Sequence, residues 1–293
     1  MRRTAMPLFA ALILTGVTTN ALAQAAPKLL QVNWESVKAG RDAAHERNEK
    51  GWPAAYAAAG GKSNYIALTG MTGTAEALYV SGWASYAQFA ENQKTVAANP
   101  ALTAQLAKLW EKDAEFLNNA RSFFAEQVDS IGIGTAPEWS KVRGYRITMV
   151  RVKMGRAADY EKLRRMQRAA ADRAGIDMHL GIYRVTSGVA VPTFMIFRPF
   201  NSLADLDSWP AMQEKAAAAA TAEERAEFAR LGEAAITSSE SNIYNISAAQ
   251  SYPSVALVQA APDFWKGNPV LAMAQKASGV VQAGKPTEAK KKP

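Results

Sequence analysis

The chain carries two copies of one segment. Residues 37–60 (VKAGRDAAHERNEKGWPAAYAAAG) return at 152–175 (VKMGRAADYEKLRRMQRAAADRAG) with an offset of 115. Val37/Val152, Lys38/Lys153, Gly40/Gly155, Arg41/Arg156, Glu46/Glu161 and Gly60/Gly175 are identical, as are four alanine pairs. Alanine matches count for little in an alanine-rich chain, whereas the V-K-x-G-R pattern is specific. A period of this length exceeds that of a solenoid repeat. It implies two copies of a whole unit packed across a pseudo-two-fold axis.

Each copy reads as strand, helix, strand, strand, helix, strand. In the second, the alternating segment 146–153 is followed by a punctuating Gly155 and then by Tyr160, Leu163, Met166, Ala170 and Ala174 at helical spacing. Segments 178–185 and 192–198 read as a hairpin around Ser187-Gly188. Helical sequence follows from Ser202, with a capping box at Thr221-Ala-Glu-Glu224, and 241–247 reads as a closing strand. The first copy runs in parallel through strand 31–38, helix 41–59, strands 64–70 and 76–82, and helical sequence from Ser85 that breaks at Asn99-Pro100. Its last strand is placed at 121–128. The resulting divisions are a leader at 1–23, a first unit at 24–130, a linker at 131–144, a second unit at 145–250, and an irregular extension at 251–293 pinned by Phe264 and Trp265 and ending in a basic, disordered tail.

Arg2 and Arg3, the apolar run Ala5 to Val17, and Ala21-Leu22-Ala23 form a secretory signal pattern with cleavage before Gln24. A periplasmic or secreted location follows as an expectation. No segment is long and apolar enough to span a bilayer. The chain has no cysteine, so disulfides, thiolate metal sites and cysteine nucleophiles are excluded and the core alone must supply stability. Net charge is +8, or +6 without Arg2 and Arg3, and the basic residues are dispersed outside the tail. That distribution argues against nucleic acid as a partner.

The β-α-β-β-α-β order and its duplication resemble the dimeric α+β barrel superfamily, which includes antibiotic-biosynthesis-type monooxygenases, stress-response barrel proteins and the chlorite dismutase group. The resemblance spans about residues 28–250. It implies an α+β fold in which two ferredoxin-like repeats pack within one chain as an α+β barrel, with further homodimerisation left open. No catalytic motif accompanies it, and folds of this kind host many chemistries.

Strand alternation places Leu30/Tyr145, Val32/Ile147 and Trp34/Met149 on one face, expected to pack under helices. Asn33, Glu35, Arg146 and Thr148 fall on the other, expected to line a partly polar barrel interior and to bind a ligand. The alternative for these four is a solvated face. His45 aligns with Tyr160 and Asn48 with Leu163, so both are expected on a buried helical stripe, as pocket residues or as hydrogen-bonded structural ones. His179 and Tyr183 are expected on one face of the sixth strand, as an acid/base pair, with a core role as the alternative. No G-x-S-x-G, Walker or G-x-G-x-x-G motif occurs in a suitable context. No metal site is expected, because the two histidines lack ligand spacing and the Asp42/Glu46 pair reads as helix surface. No cofactor is expected either, with haem on His179 as the alternative.

These readings converge on an exported protein binding a small apolar or aromatic molecule. If it is catalytic, the resemblance favours cofactor-independent oxygenation, isomerisation or elimination through His45 or His179. The competing reading is a non-catalytic structural or partner-binding module. A site retained in one copy and lost in the other, as His45/Tyr160 hints, would favour the first.

Overall fold

The computed structural model describes residues 26–61 and 63–277. The expected leader, its expected cleavage site and the basic tail lie outside the described residues.

Eight strands form a closed antiparallel barrel: β1 (Leu29–Val37), β2 (Ile66–Gly70), β3 (Glu76–Trp83), β4 (Leu117–Gln127), β5 (Gly144–Val152), β6 (Gly181–Ser187), β7 (Thr193–Phe200) and β8 (Ile236–Ile246). Around the barrel they run β1-β3-β2-β8-β5-β7-β6-β4, and β4 pairs back onto β1. Closure removes every sheet edge. The first half thus has the order β4-β1-β3-β2 and the second β6-β7-β5-β8, with seams at β2/β8 and β4/β6. Both halves carry a register shift at the same place, Ser36/Val37 in β1 and Arg151/Val152 in β5.

The repeated motif has a local cause. Gly40 and Gly155 adopt φ of +75° and +77°, turning each strand into the following helix, and the Arg41 and Arg156 amides bond back to the carbonyls of Lys38 and Lys153 at 2.9 and 3.0 Å. Only glycine holds that backbone region without strain.

The helices are α1 (Asp42–Glu49), α2 (Gly51–Ala58), α3 (Tyr86–Ala97), α4 (Pro100–Asp113), α5 (Ala157–Arg173), α6 (Trp209–Ala218), α7 (Ala222–Ala235), α8 (Val255–Ala260) and α9 (Pro269–Ala277). The helix expected over 41–59 is split at Lys50, three residues before Pro53, whose ring and missing N–H disfavour an uninterrupted helix. The start of α4 is as expected, with Asn99 accepting from the Leu102 amide at 3.1 Å and Pro100 in the first turn. Thr221 and Glu224 form the expected capping box at α7. Among the described residues no helix is long and apolar enough to cross a membrane.

The structure inverts the expected assignment of strand faces. Leu30, Val32, Trp34, Tyr145, Ile147 and Met149 point into the barrel, where they join Leu68, Phe123, Met195 and Phe197. Glu35, Val150 and Val152 lie on the opposite side, beneath helices; Val150 and Val152 pack with Tyr160, Leu163, Leu231 and Ala235 of α5 and α7. A small closed barrel fills its interior with side chains from every strand, so the more apolar face goes inward.

The extension after residue 250 is also more ordered than its lack of period implies. Ser254 caps α8, and the Asn268 side chain donates to the carbonyls of Ala248 and Ser251 at 2.6 and 2.9 Å while accepting from the Val270 amide. Trp265, 2% exposed, is buried with Tyr252, Val258 and Leu271. A six-residue helix is too short to print a period. The linker is likewise docked rather than free. Ile133 bridges Leu180, and Gly134, at φ +71°, brings its backbone so close to the Met178 carbonyl that a Cβ would overlap it.

Candidate functional site

One end of the barrel opens into a cavity of about 620 Å³. Its floor is barrel interior: Leu30, Leu68, Val80, Tyr145, Tyr183, Phe197 and Ile246. Its walls come from outside the sheet, namely Pro27 just before β1, Trp139 and Arg143 of the linker, and Leu257 and Trp265 of the extension. Toward the other end, the Glu76 carboxylate accepts from Trp34 Nε1 at 2.7 Å, from the Tyr244 hydroxyl, and from Asn242 at 3.4 Å. That satisfied network fills the barrel there.

His179 and Tyr183 both line the cavity, as their spacing implied, although His179 stands just before β6 rather than within a strand. The Tyr183 hydroxyl donates to the Pro27 carbonyl at 3.1 Å, and its ring meets Phe197 edge-on. The His179 ring meets Trp139 edge-on at 5.9 Å between centroids. Burial pulls its pKa below the ordinary 6.5, and the Thr135 backbone only partly offsets this. A neutral imidazole is the form able to accept a proton. Burial, with smaller additions from Tyr145 and Asp129, keeps the Tyr183 phenol protonated by raising its pKa.

The remaining expected residues sit outside the barrel interior. Arg146 and Thr148 line a second cavity of about 250 Å³ between the sheet and α5 and α6, together with Arg164, Arg198 and Trp209. Thr148 and Ser241 hydroxyls bond at 2.6 Å, and the Arg198 and Arg146 guanidinium groups lie over Trp209 at 4.4 and 5.8 Å. Asn33 shares the helix-facing side of β1 with Glu35, between its ladder partners Tyr79 and Ser122. Asn48 is structural, donating to the Leu109 carbonyl of α4 at 2.9 Å.

His45 lines neither of these two cavities. It is buried under α1 against β1, with Nε2 2.9 Å from Glu35 Oε2 and 3.7 Å from Asp113 Oδ1. Glu49, one turn along α1, completes a group of four buried residues. Glu35, His45, Glu49 and Asp113 are 5%, 3%, 3% and 0% exposed. Burial raises the Glu49 pKa well above the carboxylate range, and the neighbouring Asp113 carboxyl raises it further. Burial raises that of Glu35 too, against the lowering effect of the His45 hydrogen bond. Burial and the nearby carboxylates also raise the pKa values of Tyr65 and Tyr79, which close the site from the sheet side.

Sequence reasoning missed Glu49 and Asp113. Asp113 ends α4 far from the repeated segment, and Glu49 reads as one more charge on a charged helix. One signal was available: Glu49, four residues after His45, shares its helical face.

No protein-family model matches the chain, and no curated protein matches it in sequence. Solved structures do resemble it. An anthrone oxidase-like protein superposes with a TM-score of 0.50 at 13% identity, covering 77% of this chain and 93% of that one. A proposed monooxygenase from Fusobacterium nucleatum gives 0.49 at 11%, covering 76% and 94%. A mutant chlorite dismutase from Candidatus Nitrospira defluvii gives 0.44 at 9%, covering 80% and 96%. The fold is that of the dimeric α+β barrel proteins, and at these identities the likeness speaks for the fold alone.

Proposed function

We propose that the protein is a monooxygenase-like enzyme that binds a small apolar or aromatic molecule in the barrel-mouth cavity. The observation that carries this is the cavity itself: about 620 Å³, walled by Trp83, Trp139, Phe197 and Trp265, with the His179 imidazole and the phenols of Tyr145 and Tyr183 on its surface. A pocket mostly apolar with a few convergent polar groups is the usual form of a small-molecule site.

In this reading His179 removes a proton from an activated carbon of the substrate, and the Tyr183 hydroxyl, rotating away from the Pro27 carbonyl, donates its hydrogen bond to the oxygen on which negative charge develops. Returning the proton to another carbon completes an isomerisation. Oxygenation additionally needs dioxygen as the oxidant of the carbanion, and neither route needs a bound cofactor. Since burial favours neutral His179, activity should fall only as pH drops through a folded-state value lower than 6.5. A pH profile of kcat/KM is therefore expected to place its acidic limb below 6.5, and a limb above that value would contradict the assignment.

The architecture is read as two copies of one ferredoxin-like unit. Supporting this are the matching strand orders, the matching register shifts and the paired Gly40/Gly155 turns. Export is part of the proposal, carried by the leader pattern; protein recovered from outside the cytoplasm should begin at Gln24, and an intact Met1 there would refute it.

Native mass spectrometry of protein purified from its own host tests the binding reading directly. A co-purified apolar compound, displaced in a Val80→Trp variant that fills the cavity, is the expected result. A folded protein that carries no compound and shows no quenching of tryptophan fluorescence across a panel of aromatic ligands would overturn it.

A further inference from the structure

The four buried groups under α1 pose a physical problem that the barrel cavity does not solve. Three carboxyl groups and one imidazole present ligand atoms all within 4.8 Å of one another. Both oxygens of Asp113 and Oε1 of Glu49 are buried without a well-formed hydrogen bond, and the groups close to Glu49 are the Asp113 carboxyl and the Tyr79 hydroxyl, neither of them a cation. Among the described residues the single cationic partner recorded for Glu35 or Asp113 is His45 itself, and none is recorded for Glu49. Buried polar atoms are normally satisfied, and a carboxylate with no donor costs far more to bury than a neutral group.

The second half shows that the fold does not require this arrangement. The equivalents of Glu35, His45 and Glu49 are Val150, Tyr160 and Arg164. There Val150 and Tyr160 pack into an ordinary apolar cluster with Leu163, Phe194 and Leu231. The acidic set is therefore particular to the first half: the second half has an apolar valine and a tyrosine at two of these positions and a part-buried arginine, Arg164, at the third.

We propose that Glu35, His45, Glu49 and Asp113 bind one divalent first-row transition metal ion, of the Mn2+, Fe2+ or Zn2+ type. At metal–ligand distances of about 2.1 Å, adjacent ligands of an octahedral ion stand about 3 Å apart and opposite ones about 4.2 Å. The separations of 2.9 Å and 3.7 Å from His45 Nε2 fall in that range, and the outer limit of 4.8 Å closes to it with shifts of a few tenths of an ångström. The imidazole nitrogen selects against Ca2+, which takes oxygen ligands, and three hard carboxylate oxygens select against Cu(I). The ion would neutralise two of three carboxylate charges and give the stranded Asp113 and Glu49 oxygens a partner. The site lies apart from the barrel-mouth cavity, so the inference stands independently of the function proposed above.

The test uses the full mature chain, stripped with a chelator and supplied with MnCl2 or ZnCl2 both in the folded state and during refolding, since the site is closed. Mass-spectrometric metal counting is expected to give one ion per chain, with a higher thermal midpoint in its presence. MgCl2 and CaCl2 at the same concentration should leave the midpoint nearly unmoved. Asp113→Asn and Glu49→Gln, which keep side-chain shape, should weaken binding by at least the roughly 10–100-fold seen on losing even an outer-sphere partner. Glu46→Gln on the exposed side of α1 should not. In Mn2+-loaded protein, pulsed electron paramagnetic resonance should show coupling to one imidazole nitrogen, a readout that needs no variant to fold. Sub-stoichiometric metal with an unmoved midpoint under both loading regimes would overturn the proposal. So would stoichiometric binding that survives Asp113→Asn, or Mn2+ without nitrogen coupling.

Discussion

Trp265→Ala is expected to lower stability by about 3–5 kcal/mol, the cost of emptying a large buried aromatic site. Trp265 is among the largest side chains with almost no exposure, and its ring packs edge-on against Phe264 at 4.9 Å while forming one wall of the barrel-mouth cavity. It belongs to a satellite cluster formed by the extension, α2 and the ends of β2 and β8, which meets the barrel interior at Ile66 and Ile246. The loss should therefore appear first as local opening. Limited proteolysis is expected to cut within 254–277 before the barrel strands lose amide-exchange protection. Chemical denaturation measures the total. A change below about 1 kcal/mol, or cleavage distributed evenly over the chain, would show that the extension is not a wall of the cavity but a loose cover. The same variant should weaken ligand binding, because the cavity loses an apolar side and gains water.

The extension illustrates what local sequence can and cannot carry. The repeated V-K-x-G-R turn, the Asn99-Pro100 break and the Thr221/Glu224 box were legible because each is a local chemical device whose partners lie within a few residues. The orientation of the strands was not. Leu30 and Glu35 alternate clearly, yet which face turns inward depends on whether the sheet closes, and closure is a property of the seams β2/β8 and β4/β6. The site divided along the same line. His179 and Tyr183 could be paired by their spacing and do line one cavity, whereas Asp113 reaches His45 only through the packing of α4 on α1. Nothing near Asp113 in sequence announces that contact.

His45 itself provides the sharpest measure of how the buried cluster is balanced. Its Nε2 sits between Glu35 and Asp113, so His45→Ala removes the one side-chain nitrogen that, among the described residues, pairs with either carboxylate, and leaves a void beside them. Breaking a buried pair from one side is expected to cost about 3–5 kcal/mol, because the remaining charge is stranded. A residue facing a hydrated pocket would cost far less, so the magnitude discriminates between the two roles His45 could have. Replacing both members, His45→Leu with Glu35→Leu, should recover much of the loss, since an apolar pair of similar volume strands nothing, and the second half already uses Val150 and Tyr160 at these positions. Thermal and denaturant unfolding of the single and double variants, in chelator, complete the comparison. A double variant no more stable than His45→Ala would mean that the cluster is not strained by its own charge, and the asymmetry between the halves would need another cause. If recovery is seen, this protein keeps three carboxyl groups at a position where hydrophobic residues would serve the fold better, and retention of that kind is the mark of a site rather than of a scaffold.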